Sequence, residues 1–153
     1  MRIPYIIQPA SPALTKIFSK EQIFKPLITV VLRKNDKKRK LFALVDSGAD
    51  ACLFPSDVAE ILEIDIKKGE RADFIGIGST KTVFYFHEVE ILLGEHQVKT
   101  KVGFSTSAIG AGGVLGQQGF FENFMVMFDY KNRYVEIKKP PFLHNLVSKF
   151  STT

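Results

Sequence analysis

The chain has 153 residues, is 45% apolar, carries a formal net charge of +5 and contains one cysteine. That length supports a single domain with a substantial core and leaves no room for two lobes. A lone Cys52 excludes an intrachain disulfide, no stretch approaches the ~20 apolar residues of a membrane span, and the N-terminus lacks a secretory pattern; a cytoplasmic protein with no membrane partner is expected.

Residues 1–20 carry Pro4, Pro9 and Pro12 and predict an irregular N-terminal arm with a short helical piece. A domain is expected over 21–139, followed by a C-terminal tail over 140–153. The β-branched run Leu27–Leu32 predicts a strand. Arg33–Lys40 then holds six basic residues and one acidic residue, leaving 15 basic and 15 acidic residues from chain totals of 21 and 16. All of the excess charge therefore sits in one octet. Asn35 and Asp36 mark it as a turn, and it reads as a solvated hairpin tip. It has no aromatic residue, so it lacks the stacking platforms of a single-stranded nucleic-acid surface, and nucleic acid is not the expected partner. Leu41–Val45 predicts the partner strand. It delivers Asp46-Ser47-Gly48-Ala49-Asp50 at its end. A carboxylate at the end of a buried strand needs a partner or a chemical role, although Asp-Ser-Gly alone also fits an ordinary turn.

Pro55-Ser56-Asp57 predicts a short helix, with Ser56 as N-cap and Val58, Ile61 and Leu62 as its apolar face. Thr82–Phe86 is apolar enough for burial or ligand contact. Val89, Ile91 and Leu93 predict a half-buried strand, and Gly94-Glu95-His96 turns it into an alternating strand over Val98–Phe104. Ile109–Gly113 is glycine-rich but lacks the Lys-Ser/Thr and helix of a phosphate loop. Phe124–Asp129 predicts a strand, Asp129–Arg133 a turn, and Tyr134–Ile137 its return. His87, His96 and His144 show no metal-ligand spacing and are expected on the surface or on strands. Cys52 reads as a buried, inert thiol.

Val45-Asp46-Ser47-Gly48-Ala49-Asp50 resembles the active-site segment of the retropepsin-like (retroviral-type) aspartic proteases. Gly113-Val114-Leu115-Gly116 resembles that family's hydrophobic-hydrophobic-Gly element, and Phe74–Ser79 resembles its flap tip. The opening Met1–Tyr5 is similar to that of small single-domain prokaryotic members. The resemblance spans roughly residues 24–138. It implies a mainly β fold, a retropepsin-like closed β-barrel or acid-protease half-lobe with one or two short helices. It also implies an aspartic endopeptidase that needs no cofactor or metal. Asp46 would be the catalytic carboxylate, Ser47 its brace across a two-fold axis, and Gly48 and Ala49 the rest of the tight loop. Asp50 matches a position that binds the substrate backbone in retroviral relatives, and it equally fits a turn or helix cap. Ile75, Gly76, Ile77 and Gly78 would form a flap closing over an extended peptide bound as an added strand.

Aspartic proteolysis needs two close carboxylates sharing one proton. Asp36, Asp57, Asp65, Asp73 and Asp129 are not followed by Ser/Thr-Gly, so the second carboxylate must come from a second copy of the chain, in a homodimer. One departure stands out: Gln117-Gln118 follows Gly116, where retroviral proteases carry Arg and then Asn or Asp. That departure supports an alternative, a non-catalytic module of the same fold serving dimerisation or peptide binding.

Overall fold

The computed structural model describes residues 1–75, 79, 81–106 and 112–140. The first twenty residues are regular rather than irregular. They form β1 (Arg2–Pro4), β2 (Ile6–Pro9) and the expected helical piece, α1 (Pro12–Phe18). The three prolines sit where a missing N–H does little harm. Pro4 and Pro9 end strands, and Pro12 opens α1 behind Ser11, whose hydroxyl accepts from the Leu14 N–H at 3.3 Å. Strand β3 (Gln22–Lys25) pairs back antiparallel onto β2.

Strands β4 (Leu27–Lys34) and β5 (Lys37–Val45) form the predicted hairpin, longer than the apolar runs alone indicated because the basic residues are in register with one another. Its tip is Asn35-Asp36, and Asn35 takes a positive φ of 53°, which asparagine tolerates in two-residue turns. There follow β6 (Leu53–Pro55), α2 (Ser56–Ile61), β7 (Glu70–Ile75), β8 (Lys81–Leu93), β9 (His96–Ser105), β10 (Gly113–Leu115), β11 (Met125–Asp129) and β12 (Tyr134–Lys138). Strand β4 pairs with β5 on one side and β8 on the other, so β4-β5-β10-β6-β9-β8 is a ring of six hydrogen-bonded strands, with β7 attached to β8. A separate three-stranded sheet has the order β1-β12-β11.

Strand periodicity explains the core. Ile28, Val30 and Leu32 alternate along β4 and are buried, as are Val89, Ile91 and Leu93 along β8, the face expected from sequence. Phe54, Phe104 and Phe120 fill the space between them, and Val135 and Ile137 bring the three-stranded sheet onto the same core. Two expectations for α2 need correction. Pro55, in extended conformation, occupies the N-cap position with no side-chain bond, and Ser56 is already helical. The inward face is Val58, Ala59 and Leu62, while Ile61 is 41% exposed, because a six-residue helix presents barely one face to the core.

Candidate active site

Strand β5 ends buried at Val45 and releases a loop that is held almost entirely by main-chain bonds. The Asp46 N–H donates to the Leu115 carbonyl at 3.1 Å, and the Ala49 N–H donates back to the Asp46 carbonyl at 3.2 Å. The Gly48 N–H donates to Asp46 Oδ1 at 2.9 Å, so one carboxylate oxygen is used within the loop. Asp46 is half-buried, while Ser47, Gly48 and Asp50 are exposed. Gly48 does not occupy the left-handed φ region. A Cβ added there would instead stand 3.2 Å from Asp46 Oδ1, crowding the carboxylate.

The sequence-distant segment Gly113–Gln118 locks this loop. Strand β10 runs parallel to β5, with Leu115 opposite Val45. The Gln117 N–H donates to the Ala49 carbonyl at 2.8 Å, and the Gln118 N–H to the Asp50 carbonyl at 2.9 Å. A Cβ on Gly116 would lie 2.6 Å from the Ala49 carbonyl oxygen and closer still to that of Ala51, so the two segments can approach this closely only at a glycine. The Gln117 side chain donates from Nε2 to the Ser47 carbonyl at 3.1 Å. The residue standing where retroviral proteases carry Arg thus braces the loop within its own chain. Sequence reasoning marked Gln117 as a departure and missed this role.

The stem of the expected flap is the β7–β8 hairpin. Phe74 packs edge-on against Phe84 at 5.5 Å and stacks on Phe86 at 5.9 Å. Asp73 sits between Lys81, at 2.6 Å, and Arg71, at 3.0 Å. The hydrogen bond from Lys81 in particular holds its carboxyl below the usual range. Ile75 ends β7 with 75% of its surface exposed. Gly76, Ile77 and Gly78, expected at the tip, lie outside the described residues. Between this stem and the loop lies a cleft of about 530 Å³ whose walls include Asp50, Arg71, Phe74, Phe86 and Gln118. Asp50 is therefore brought to a cleft wall together with residues of the flap stem. Ser56, not Asp50, opens α2, and Asp50 makes no helix cap.

Cys52 is fully buried, and burial pushes its thiol up to about 12, against a weaker opposing backbone hydrogen bond from Gly116. It is inert at neutral pH, as expected. His87 lies half-buried on β8, its Nε2 2.8 Å from the Ile66 carbonyl oxygen, and His96 begins β9; His144 is outside the described residues. Among the described residues no helix is long and apolar enough to cross a membrane.

An Asp-bearing loop at the end of a ring strand, a Gly element locked beside it and a hairpin stem alongside define a retropepsin-like fold. One solved structure supports that assignment. The chain is similar to a retropepsin-like aspartic protease from Rickettsia conorii, with 16% identity over 88% of this chain and 99% of that one, at a TM-score of 0.54. It is also similar to the retroviral protease-like domain of Ddi1 from Leishmania major (16% identity, 77% and 98% covered, TM-score 0.47) and to EIAV protease in complex with an inhibitor (20% identity, 61% and 82% covered, TM-score 0.47). No protein-family model and no curated protein sequence matches the chain.

Proposed function

We propose that this protein is an aspartic endopeptidase of retroviral type, active as a homodimer in which each protomer supplies Asp46. The observation that carries this reading is the presentation of a half-buried Asp46 on a loop locked by Gly116 and Gln117, within a retropepsin-like fold. Two such carboxylates, facing each other across a two-fold axis, would share one proton. One member accepts a proton from water while the other donates to the amide carbonyl, and the water oxygen adds to the carbonyl carbon. The resulting tetrahedral species collapses by breaking the C–N bond, with the proton passing to the leaving amine. Ser47 would brace the paired loops. An extended peptide would lie between loop and flap, with Ile75 and the tip residues Gly76, Ile77 and Gly78 above it and Asp50 beside its backbone.

The test is peptide cleavage by the parent and by Asp46→Asn. The substitution preserves shape and removes the titrating group, so the rate should fall roughly 10²–10⁴-fold, the span of general acid–base catalysis. The parent's activity should be bell-shaped in pH with an acidic optimum, because the pair must hold one proton. Equal cleavage by both proteins defeats the proposal. Peptide binding without turnover by the parent at any pH selects the alternative, a module that binds without cutting.

A further inference from the structure

The three-stranded sheet has two very different edges. Strand β1 is three residues long and carries Arg2 and Pro4, a charge and a residue without an N–H, the usual means of blunting an edge. Strand β11, Met125-Val126-Met127-Phe128-Asp129, has no proline and no cation, and its sole charge is at its end. Met125, Met127 and Phe128 are 57%, 47% and 41% exposed. Among the described residues, nothing pairs with its outer side.

The direction of its main-chain groups follows from the neighbouring strand. On β12, Ile137 exchanges both bonds with Met1, and the Arg133 carbonyl accepts from the Tyr5 N–H. Residues 133, 135 and 137 therefore turn toward β1, and 134, 136 and 138 turn toward β11, since bonding direction alternates along a strand. Their register partners Asp129, Met127 and Met125 face inward, to β12. Val126 and Phe128 are left with N–H and C=O pointing away from the sheet.

We infer that this edge is where a second copy of the chain docks, β11 pairing antiparallel with its symmetry mate to give a six-stranded sheet across the two-fold axis. The inference rests on the homodimeric reading above, because a single protomer holds one half of the acid pair and the site is incomplete without its copy. Val126 of each protomer exchanges both main-chain bonds with Phe128 of the other. Met127 then meets its own copy on the axis as a non-hydrogen-bonded pair, the closer of the two pair types.

The experiment combines sedimentation of Phe128→Pro and Phe128→Ala with cysteine crosslinking. Proline at 128 removes an outward N–H and no bond within the protomer, so the fold should persist. Two of the four intermolecular bonds vanish, and the dimer dissociation constant should rise roughly tenfold or more beyond the alanine control. Met127→Cys should give an intermolecular disulfide under mild oxidation, since that pair brings Cβ atoms into bonding range, while Met125→Cys, displaced from its own copy, should not. Unchanged sedimentation of Phe128→Pro, or crosslinking at 125 in preference to 127, overturns the assignment. Should Phe128→Pro fail to fold, the crosslinking arm decides alone. A dimer that resists Phe128→Pro yet cleaves peptide through Asp46 refutes this edge and leaves the peptidase reading standing. A dimer built on β11 that never cleaves does the reverse. A parent that stays monomeric at every concentration removes both.

Discussion

Strand β5 starts at the tip of the basic hairpin and ends at Val45, just before Asp46, and its two ends are held by different forces. At the first end, Arg33 pairs with Glu90, Lys37 with Glu63 at 2.9 Å and Arg39 with Asp57 at 4.0 Å, while Lys34 Nζ donates to the Glu88 carbonyl at 2.7 Å. Most of these groups are substantially exposed, where an ion pair replaces water with little net gain. At the second end, few charges are present, and the loop is fixed by amides, carbonyls and one glycine against the ring. The densest charge in the chain therefore marks a tolerant surface. The chemically suggestive carboxylate sits where steric freedom is smallest.

Gly116→Ala is the sharpest way to break that contrast. Its methyl group would overlap the carbonyls of Ala49 and Ala51, which belong to main chain and cannot rotate away. We expect about 3 kcal/mol of destabilisation by denaturant titration, at the upper end of overpacking costs, with the proposed peptidase activity lost as well. A variant as stable as the parent would show that the two segments are not locked. Gln117→Ala removes only the bond to the Ser47 carbonyl. It should cost about 0.5–1 kcal/mol and reduce cleavage more than stability, since the loop stays folded but loses its brace. A loss confined to stability would deny Gln117 a positioning role.

Smaller effects are expected at the basic end. The hydrogen bond from Arg33 holds the Glu90 carboxyl below its usual range. A depressed carboxylate stabilises the fold above its unfolded value, and that stabilisation fades as pH falls through the lower folded value. Glu90→Gln should therefore flatten the loss of melting temperature below about pH 4.3 and leave the slope at neutral pH unchanged. An identical acid limb would remove the pair from the pH dependence. Smallest of all, replacing Lys38, Arg39 and Lys40 together by Gln should scarcely move the melting temperature or the retention on DNA as salt is varied. A clear drop in salt-sensitive retention would instead make the octet a nucleic-acid contact.

What the sequence revealed depended on how local each feature is. The Asp46–Asp50 loop is contiguous, and so is the turn at Asp129–Arg133, where the Asn132 N–H donates to Asp129 Oδ1 at 2.9 Å. Both are visible as short patterns. Alternation marked the buried face of β8 for the same reason. The brace from Gln117 joins residues 70 positions apart, and it exists only because β10 lies parallel to β5. No local pattern encodes that adjacency. The pairing of Arg2 with Glu136 is more distant still. At the N-terminus the three prolines read as breakers, when each occupies an end position that tolerates it. At α2 the serine looked like a cap because propensity cannot tell a cap from the first helical residue when proline stands just before it.

Strand β1 lies in the same sheet as β12 of its own chain, so no strand exchange is needed to finish a protomer. Folding is then a one-body event, and the proposed assembly a later two-body one. Melting should be independent of dilution only below the dimer dissociation constant and should rise with concentration above it, because pairing stabilises the folded protomer by mass action, whereas turnover at low protein should grow with the square of protomer concentration. Abundance alone would then set a threshold below which the polypeptide is fully folded and catalytically silent.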